Sequence, residues 1–138
     1  MRPVQDTKHI MVVDDELGTV KLVGIMLERE GFVVLKAKDA FEALDLLEEI
    51  DPDLFILDVK MPGMNGFELC QLIRARLQTA RTPVLMISAS HDAENINRVV
   101  KSRADDYLPK PFLHWDLLAK VHTLIGMQEV TRNEQRVS

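Results

Sequence analysis

Asp58 closes the apolar run Leu54-Phe55-Ile56-Leu57 and opens Asp58-Val59-Lys60-Met61-Pro62-Gly63-Met64-Asn65-Gly66. A short apolar run that ends on a carboxylate reads as a buried strand delivering an acid to a sheet edge. The Pro-Gly-Met-Asn-Gly stretch after it is turn chemistry leading into a helix. Two other runs end in the same way: Ile10-Met11-Val12-Val13 at Asp14-Asp15, and Val84-Leu85-Met86-Ile87 at Ser88. A shorter segment, Tyr107-Leu108-Pro109, ends at Lys110. Three carboxylates, a hydroxyl and an amine therefore stand at strand C-termini. In open parallel sheets that edge is where ligands bind.

Adjacent strand residues point to opposite faces, so Asp14 and Asp15 both reach one site only where the strand is already turning into a loop. Carboxylates gathered in one crevice repel, and keeping them ionised is costly. A divalent cation removes that cost. Hard oxygen ligands without a His or Cys cluster favour magnesium over zinc. Magnesium retains waters and takes phosphate oxygens, which makes a phosphoryl group the natural partner. Lys110 can neutralise one phosphoryl oxygen and Ser88 can donate a hydrogen bond to another. A carboxylate can accept a phosphoryl group covalently. The reaction these residues suggest is phosphoryl transfer to Asp58.

The elements that must position them alternate. A first helix is expected from Glu16 to Glu30, with Val20, Val23 and Leu27 on one face and Gly31 as its stop. Phe32 to Leu35 reads as strand two. Asp39-Ala40-Phe41-Glu42 has capping-box spacing, with Phe41, Leu44 and Leu47 following at helical intervals. Helix three starts near Gly66 and carries Leu69, Leu72 and Ile73. Helix four, about Asp92 to Ser102, is polar, with Ile96, Val99 and Val100 as its main apolar residues. Helix five runs from Leu113 to Ile125, with Leu117, Val121 and Leu124 inward and Gly126 able to end it.

Five strand–helix alternations mean an α/β fold, a doubly wound five-stranded parallel sheet with helices on both faces. Right-handed crossovers leave few topologies. Two helices on one face and three on the other, with the first strand near the middle, is the flavodoxin-like order 2-1-3-4-5. Its switch point, between strands one and three, is where Asp14, Asp15 and Asp58 would meet. The expected organisation is a flexible leader at 1–8, one domain at 9–126, and a polar tail or linker start at 127–138.

The 138 residues are enough for one domain with its own core. A net charge of −5 argues against a nucleic-acid surface on this domain. The single cysteine, Cys70, rules out an internal disulfide and suits a reducing, cytoplasmic setting. No apolar run approaches membrane-spanning length.

Four stretches carry a family resemblance. They are Val12-Val13-Asp14-Asp15-Glu16, Leu57 to Gly66, Ser88-Ala89, and Asp105-Asp106-Tyr107-Leu108-Pro109-Lys110-Pro111-Phe112. In this order and spacing they are highly specific, and from about residue 9 to 126 the chain resembles the receiver domain of a two-component response regulator. The resemblance implies a phosphoacceptor switch served by a histidine kinase or histidine phosphotransfer protein. It implies Asp58 as acceptor, with Ser88 and Lys110 holding the phosphoryl group. It implies magnesium held directly by Asp15 and Asp58, by Asp14 through water, and by the Lys60 backbone carbonyl. Ser88 and Tyr107 become the switch pair, Lys110-Pro111 resembles the family's cis bond, and the helix four/strand five/helix five face becomes the output surface. That face is also a candidate homodimer contact, through Arg103, Asp105, Asp106 and Lys120. One departure stands out: Arg103 occupies a place where the family usually has Gly, which suits a helix end with positive φ.

Two rival readings are weaker. A metal-dependent phosphatase of the aspartyl-phosphate kind needs an acid two residues beyond the nucleophile, and that position is Lys60. A flavin-binding protein needs a phosphate-cradling loop after strand one, and Asp14-Asp15-Glu16 would repel the phosphate. The expectation is therefore a switch, and not an enzyme beyond its own phosphorylation and dephosphorylation. Lys60 and Ser90, flanking the site without an acid, suggest slow loss of the phosphoryl group. His9, His91, His114 and His122 lack ligand spacing and read as surface or edge residues. Cys70 and Trp115 read as packing.

Overall fold

The computed structural model describes the backbone of residues 7–89 and 93–137, and the side chains of 7–89 and 96–128. Most of the expected leader, with Ser90, His91 and Asp92, lies outside the described residues.

Among the described residues the elements alternate as the hydrophobic pattern requires. They run β1 (His9–Val13), α1 (Leu17–Arg29), β2 (Val33–Ala37), α2 (Ala40–Leu46), β3 (Leu54–Asp58), α3 (Gly66–Ala75), β4 (Val84–Ser88), α4 (Ala93–Lys101), β5 (Asp106–Pro109) and α5 (His114–Val137). The strands form one parallel sheet in the order β2-β1-β3-β4-β5. Ile10 pairs with Leu54, Phe55 with Val84 and Leu85 with Asp106, so the C-terminal ends of β1, β3, β4 and β5 come level.

Period-two alternation divides the core. Met11, Val13, Phe55, Leu57, Val84 and Met86 face α2, α3 and α4, meeting Ala43, Leu69, Ile73 and Val99. Ile10, Val12, Leu54, Ile56, Leu85 and Ile87 face α1 and α5, meeting Val23, Leu27, Leu117 and Val121. Every residue of β3 is buried, as a strand covered on both faces must be. Truncating a fully buried side chain such as Leu57 to Ala would cost about 2–5 kcal/mol.

Local signals set several helix ends. Gly31 takes φ +93 just past α1. The Asp39 side chain accepts from the Glu42 N–H at 2.8 Å, and Asn65 with Glu68 forms a complete capping box at α3. Gly66 is demanded by packing: a Cβ there would strike the Asp58 carbonyl oxygen. Its N–H donates to the Val59 carbonyl at 2.9 Å, which ties the start of α3 to the end of β3.

One expectation is corrected, and the helix faces are resolved in detail. α5 does not stop at Gly126 but continues to Val137, so the expected boundary at 126 falls inside a helix. A helix-interior Gly costs only about 1 kcal/mol, and Leu124 and Ile125 are buried and anchor the turn before it. On α3 it is Cys70 that is buried with Leu69 and Ile73, while Leu72 is 40% exposed. On α4 only Val99 joins the core, whereas Ile96 and Val100 face outward. No described helix is long and apolar enough to cross a membrane.

Candidate functional site

The level strand ends assemble an acidic pocket. Asp14 follows β1, is fully buried, and donates its N–H to the Ala37 carbonyl at 3.1 Å. That bond prolongs the β1–β2 ladder by one residue and aims the Asp14 carboxylate at β3. Its Oδ1 accepts the Glu16 N–H at 2.9 Å, which turns the chain toward α1. Asp58 ends β3 and is 4% exposed. Its Oδ1 accepts the Lys60 N–H at 3.4 Å.

Lys110 enters from β5. Its Nζ donates to Asp14 Oδ2 and to Glu16 Oε1, each at 2.9 Å, and lies 3.6 Å from Asp58 Oδ2. Burial alone would lower its pKa. Those two hydrogen bonds, with the negative charges of Asp14 and Asp58, outweigh burial and raise it. Asp58 is also shifted up, which for a carboxylate disfavours the charged form. Burial first, then the charge of Asp14, push it up to about 7, against the pull of Lys110. A carboxylate so reluctant to ionise gains most from a cation.

The carboxylates of Asp14, Glu16 and Asp58 converge, with one oxygen of each within 4.8 Å of the others. An all-carboxylate donor set of this kind fits a hard divalent cation such as magnesium. Two of the expected acids are in this group. Asp15 is not: it is exposed and lines a neighbouring cleft with Lys60 and Asn65. Glu16, read from the sequence only as a helix start, takes the third place. The run of acids at 14–16 was the available signal for it.

Ser88 ends β4 and is buried, in register with Pro109 of β5. The Lys110 N–H donates to its carbonyl at 2.8 Å. Tyr107 is half-buried and pairs in register with Met86. The Lys110-Pro111 peptide is cis. Arg103 takes φ +68, the left-handed conformation expected of the Gly it replaces. Its carbonyl accepts Arg74 Nε at 3.2 Å, and Arg74 also pairs with Asp105 at 2.9 Å. Cys70 is buried and its Sγ donates to the Ser102 carbonyl at 3.3 Å; burial pushes the thiol's pKa up, as suits a packing residue.

Residues 10–122 match the family described as the response regulator receiver domain. The chain belongs to that family. This receiver domain is 37% identical over 114 residues to the DNA-binding response regulator MtrA of Mycobacterium tuberculosis, an alignment covering 83% of this chain and 49% of MtrA. It is 37% identical over 123 residues to the transcriptional regulatory protein PhoP of Bacillus subtilis, covering 89% and 50%. The receiver thus spans about half the length of the curated relatives it matches. Among solved structures it is similar to a CheY-like receiver domain protein from Methanospirillum hungatei. There the TM-score is 0.84 at 30% identity, covering 91% of this chain and 99% of that one. Membership makes the chain part of a two-component system and makes phosphoacceptor signalling its general role.

Proposed function

We propose that this receiver accepts a phosphoryl group on Asp58 in a magnesium-dependent reaction and converts it into a change of its α4/β5/α5 surface. The observation that carries the reading is Asp58 itself. It is a buried carboxylate at the end of β3, 3.6 Å from Lys110 and in register with Ile87, the residue before Ser88. An Asp58 oxygen attacks the phosphorus, and the bond from phosphorus to the donor breaks as the new one forms. Lys110 pairs with a phosphoryl oxygen, and the Ser88 hydroxyl donates to another. Bound magnesium supplies the remaining neutralisation of the acids and the phosphoryl oxygens. Asp14, Asp58 and the Lys60 carbonyl would hold it, with Asp15 or Glu16 completing the set. The donor is a histidine kinase or histidine phosphotransfer protein, encountered in the cytoplasm.

The switch follows from the sheet. Ser88 drawn toward the phosphoryl group vacates space on the β4–β5 edge, and Tyr107 fills it. α4 is the easiest element to re-pack, because Val99 alone of its described apolar residues is in the core. A homodimer through this face remains part of the proposal, but on different grounds from those the sequence offered. Asp106 is paired with Lys120 at 2.9 Å, and Asp105 with Arg74, within the chain. Exposed Ile96 and Val100 are the better contact. MtrA is named a DNA-binding regulator. With a net charge of −5, DNA binding is not proposed for this domain itself.

The test is intact mass after incubation with acetyl phosphate. Wild type should gain one phosphoryl group, and both EDTA and Asp58→Asn should abolish the gain. Equal labelling of Asp58→Asn would sink the assignment.

A further inference from the structure

Beside the acidic pocket a cleft of about 510 Å³ opens between the β3–α3 loop and α4, with Asp15, Lys60, Asn65 and Arg98 in its lining. The cleft begins where the phosphoacceptor ends, since the Lys60 N–H is bonded to Asp58 Oδ1. Arg98 comes from α4, and its Cζ lies 4.4 Å from the centroid of the Phe67 ring on α3. That ring is 4% exposed and belongs to the core. Arg98 is thus an exposed cation resting on a fixed aromatic face, whose ring quadrupole attracts the guanidinium and holds it in place. Among the described residues of the cleft lining, two cations, Lys60 and Arg98, accompany one acid, Asp15.

We infer that Arg98, together with Lys60, determines which phosphodonors the receiver uses, favouring acyl phosphates, whose leaving group departs as an anion. The inference rests on Asp58 being the phosphoacceptor. With an acyl phosphate, the Asp58 oxygen bonds to phosphorus and the bond from phosphorus to the acyl oxygen breaks. The electron pair stays on that oxygen, a carboxylate leaves, and no proton moves. With phosphoramidate, whose nitrogen arrives protonated, the phosphorus–nitrogen bond breaks and neutral ammonia leaves. Negative charge grows on the leaving atom only in the first case.

Asp58 is buried at the floor of its pocket, so the phosphorus must approach from the open side. A leaving group in line with the attack then points outward, and the cleft lined by Lys60 and Arg98 opens beside that path. A cation there binds the departing carboxylate more strongly in the transition state than in the ground state. That difference raises the rate instead of only the affinity. It offers nothing to departing ammonia.

The experiment compares initial phosphorylation rates, by intact mass, with acetyl phosphate and with phosphoramidate. The proteins are wild type, Arg98→Gln and Arg98→Lys, each in magnesium. Arg98→Gln should slow the acetyl phosphate reaction about threefold to tenfold and change the phosphoramidate reaction less than about twofold. Arg98→Lys should keep most of the wild-type preference, because it keeps the charge. Added salt should shrink the preference of wild type and leave that of Arg98→Gln where it is. An equal loss with both donors, no loss with either, or Arg98→Lys behaving like Arg98→Gln overturns the inference while leaving Asp58 as acceptor. Labelling of wild type by neither donor overturns the acceptor reading and this inference together.

Discussion

The Lys110 ammonium lies 3.6 Å from the Asp58 carboxylate and is held there by Asp14 and Glu16, each at 2.9 Å. The lysine is thus shared among three acids, and Asp58 has the longest of its contacts. That sharing explains why Lys110 fails to keep Asp58 in the usual carboxylate range. Burial and the Asp14 charge outweigh its pull and leave Asp58 at about 7. A phosphoryl group arriving on Asp58 brings new oxygens within reach of the same ammonium, at the expense of Glu16, the most exposed of the three partners.

A pH dependence of stability follows in magnesium-free buffer. Asp58 titrates near 3.8 in the unfolded chain and about 7 in the folded one. Between these values the folded state binds more protons than the unfolded state, so stability falls as pH rises through the window. Asp58→Asn removes this loss. The variant should be more stable than wild type at pH 8, on the order of 1–3 kcal/mol, and equal to it near pH 4. Magnesium, which binds the ionised wild-type site, should narrow the gap at pH 8. Urea unfolding at the two pH values checks this; a gap that is the same at both would refute it.

Lys60 bears on the lifetime of the phosphoryl group. Hydrolysis requires a water in line with the bond from Asp58 to phosphorus. The exposed Lys60 side chain belongs to the cleft beside that line of approach. From there its stem can shield the phosphorus and its ammonium can pair with a phosphoryl oxygen. Lys60→Asn should therefore lose phosphate several-fold faster than wild type, and Lys60→Asn with Ser90→Glu faster still. Decay followed by intact mass after donor removal decides it. Rates no faster than wild type in both variants would show that Lys60 simply points into solvent.

Arg103 carries local backbone strain. Its φ of +68 ends α4, and a non-Gly residue in that region costs roughly 1 kcal/mol. Its carbonyl is committed to Arg74 Nε, which fixes the turn in place. Arg103→Gly should raise unfolding stability by about 0.5–1 kcal/mol, after allowing for the freer unfolded chain. Arg103→Ala, which keeps the Cβ, should not. Chemical denaturation of the pair tests the strain directly, and a Gly variant no more stable than the Ala variant would rule it out.

Much of this molecule is legible in its amino-acid sequence. Apolar runs of strand length, each ending on a polar group, identify the strands and the edge they share. Alternation with amphipathic helices then restricts the sheet to a few orders, because parallel crossovers share a hand. The register pairs Asp58 with Ile87, next to Ser88, and Ser88 with Pro109, next to Lys110. Other features depend on where the chain goes after it leaves a strand. The bond from Asp14 N–H to Ala37 prolongs β1, sends Asp14 inward and Asp15 outward, and brings Glu16 back to Lys110. No local pattern specifies that bond, since it depends on β2. Gly126 has a stop signal's composition, yet the packing of Leu124 and Ile125 against the sheet carries α5 through it. Arg103 has no intrinsic preference for its backbone angle; Arg74, reaching across from α3, holds it there. The sequence alone determined which groups reach the sheet edge, because strand period and burial are local and repetitive. Which of them touch was decided by the tertiary structure, because each contact joins residues far apart in the chain.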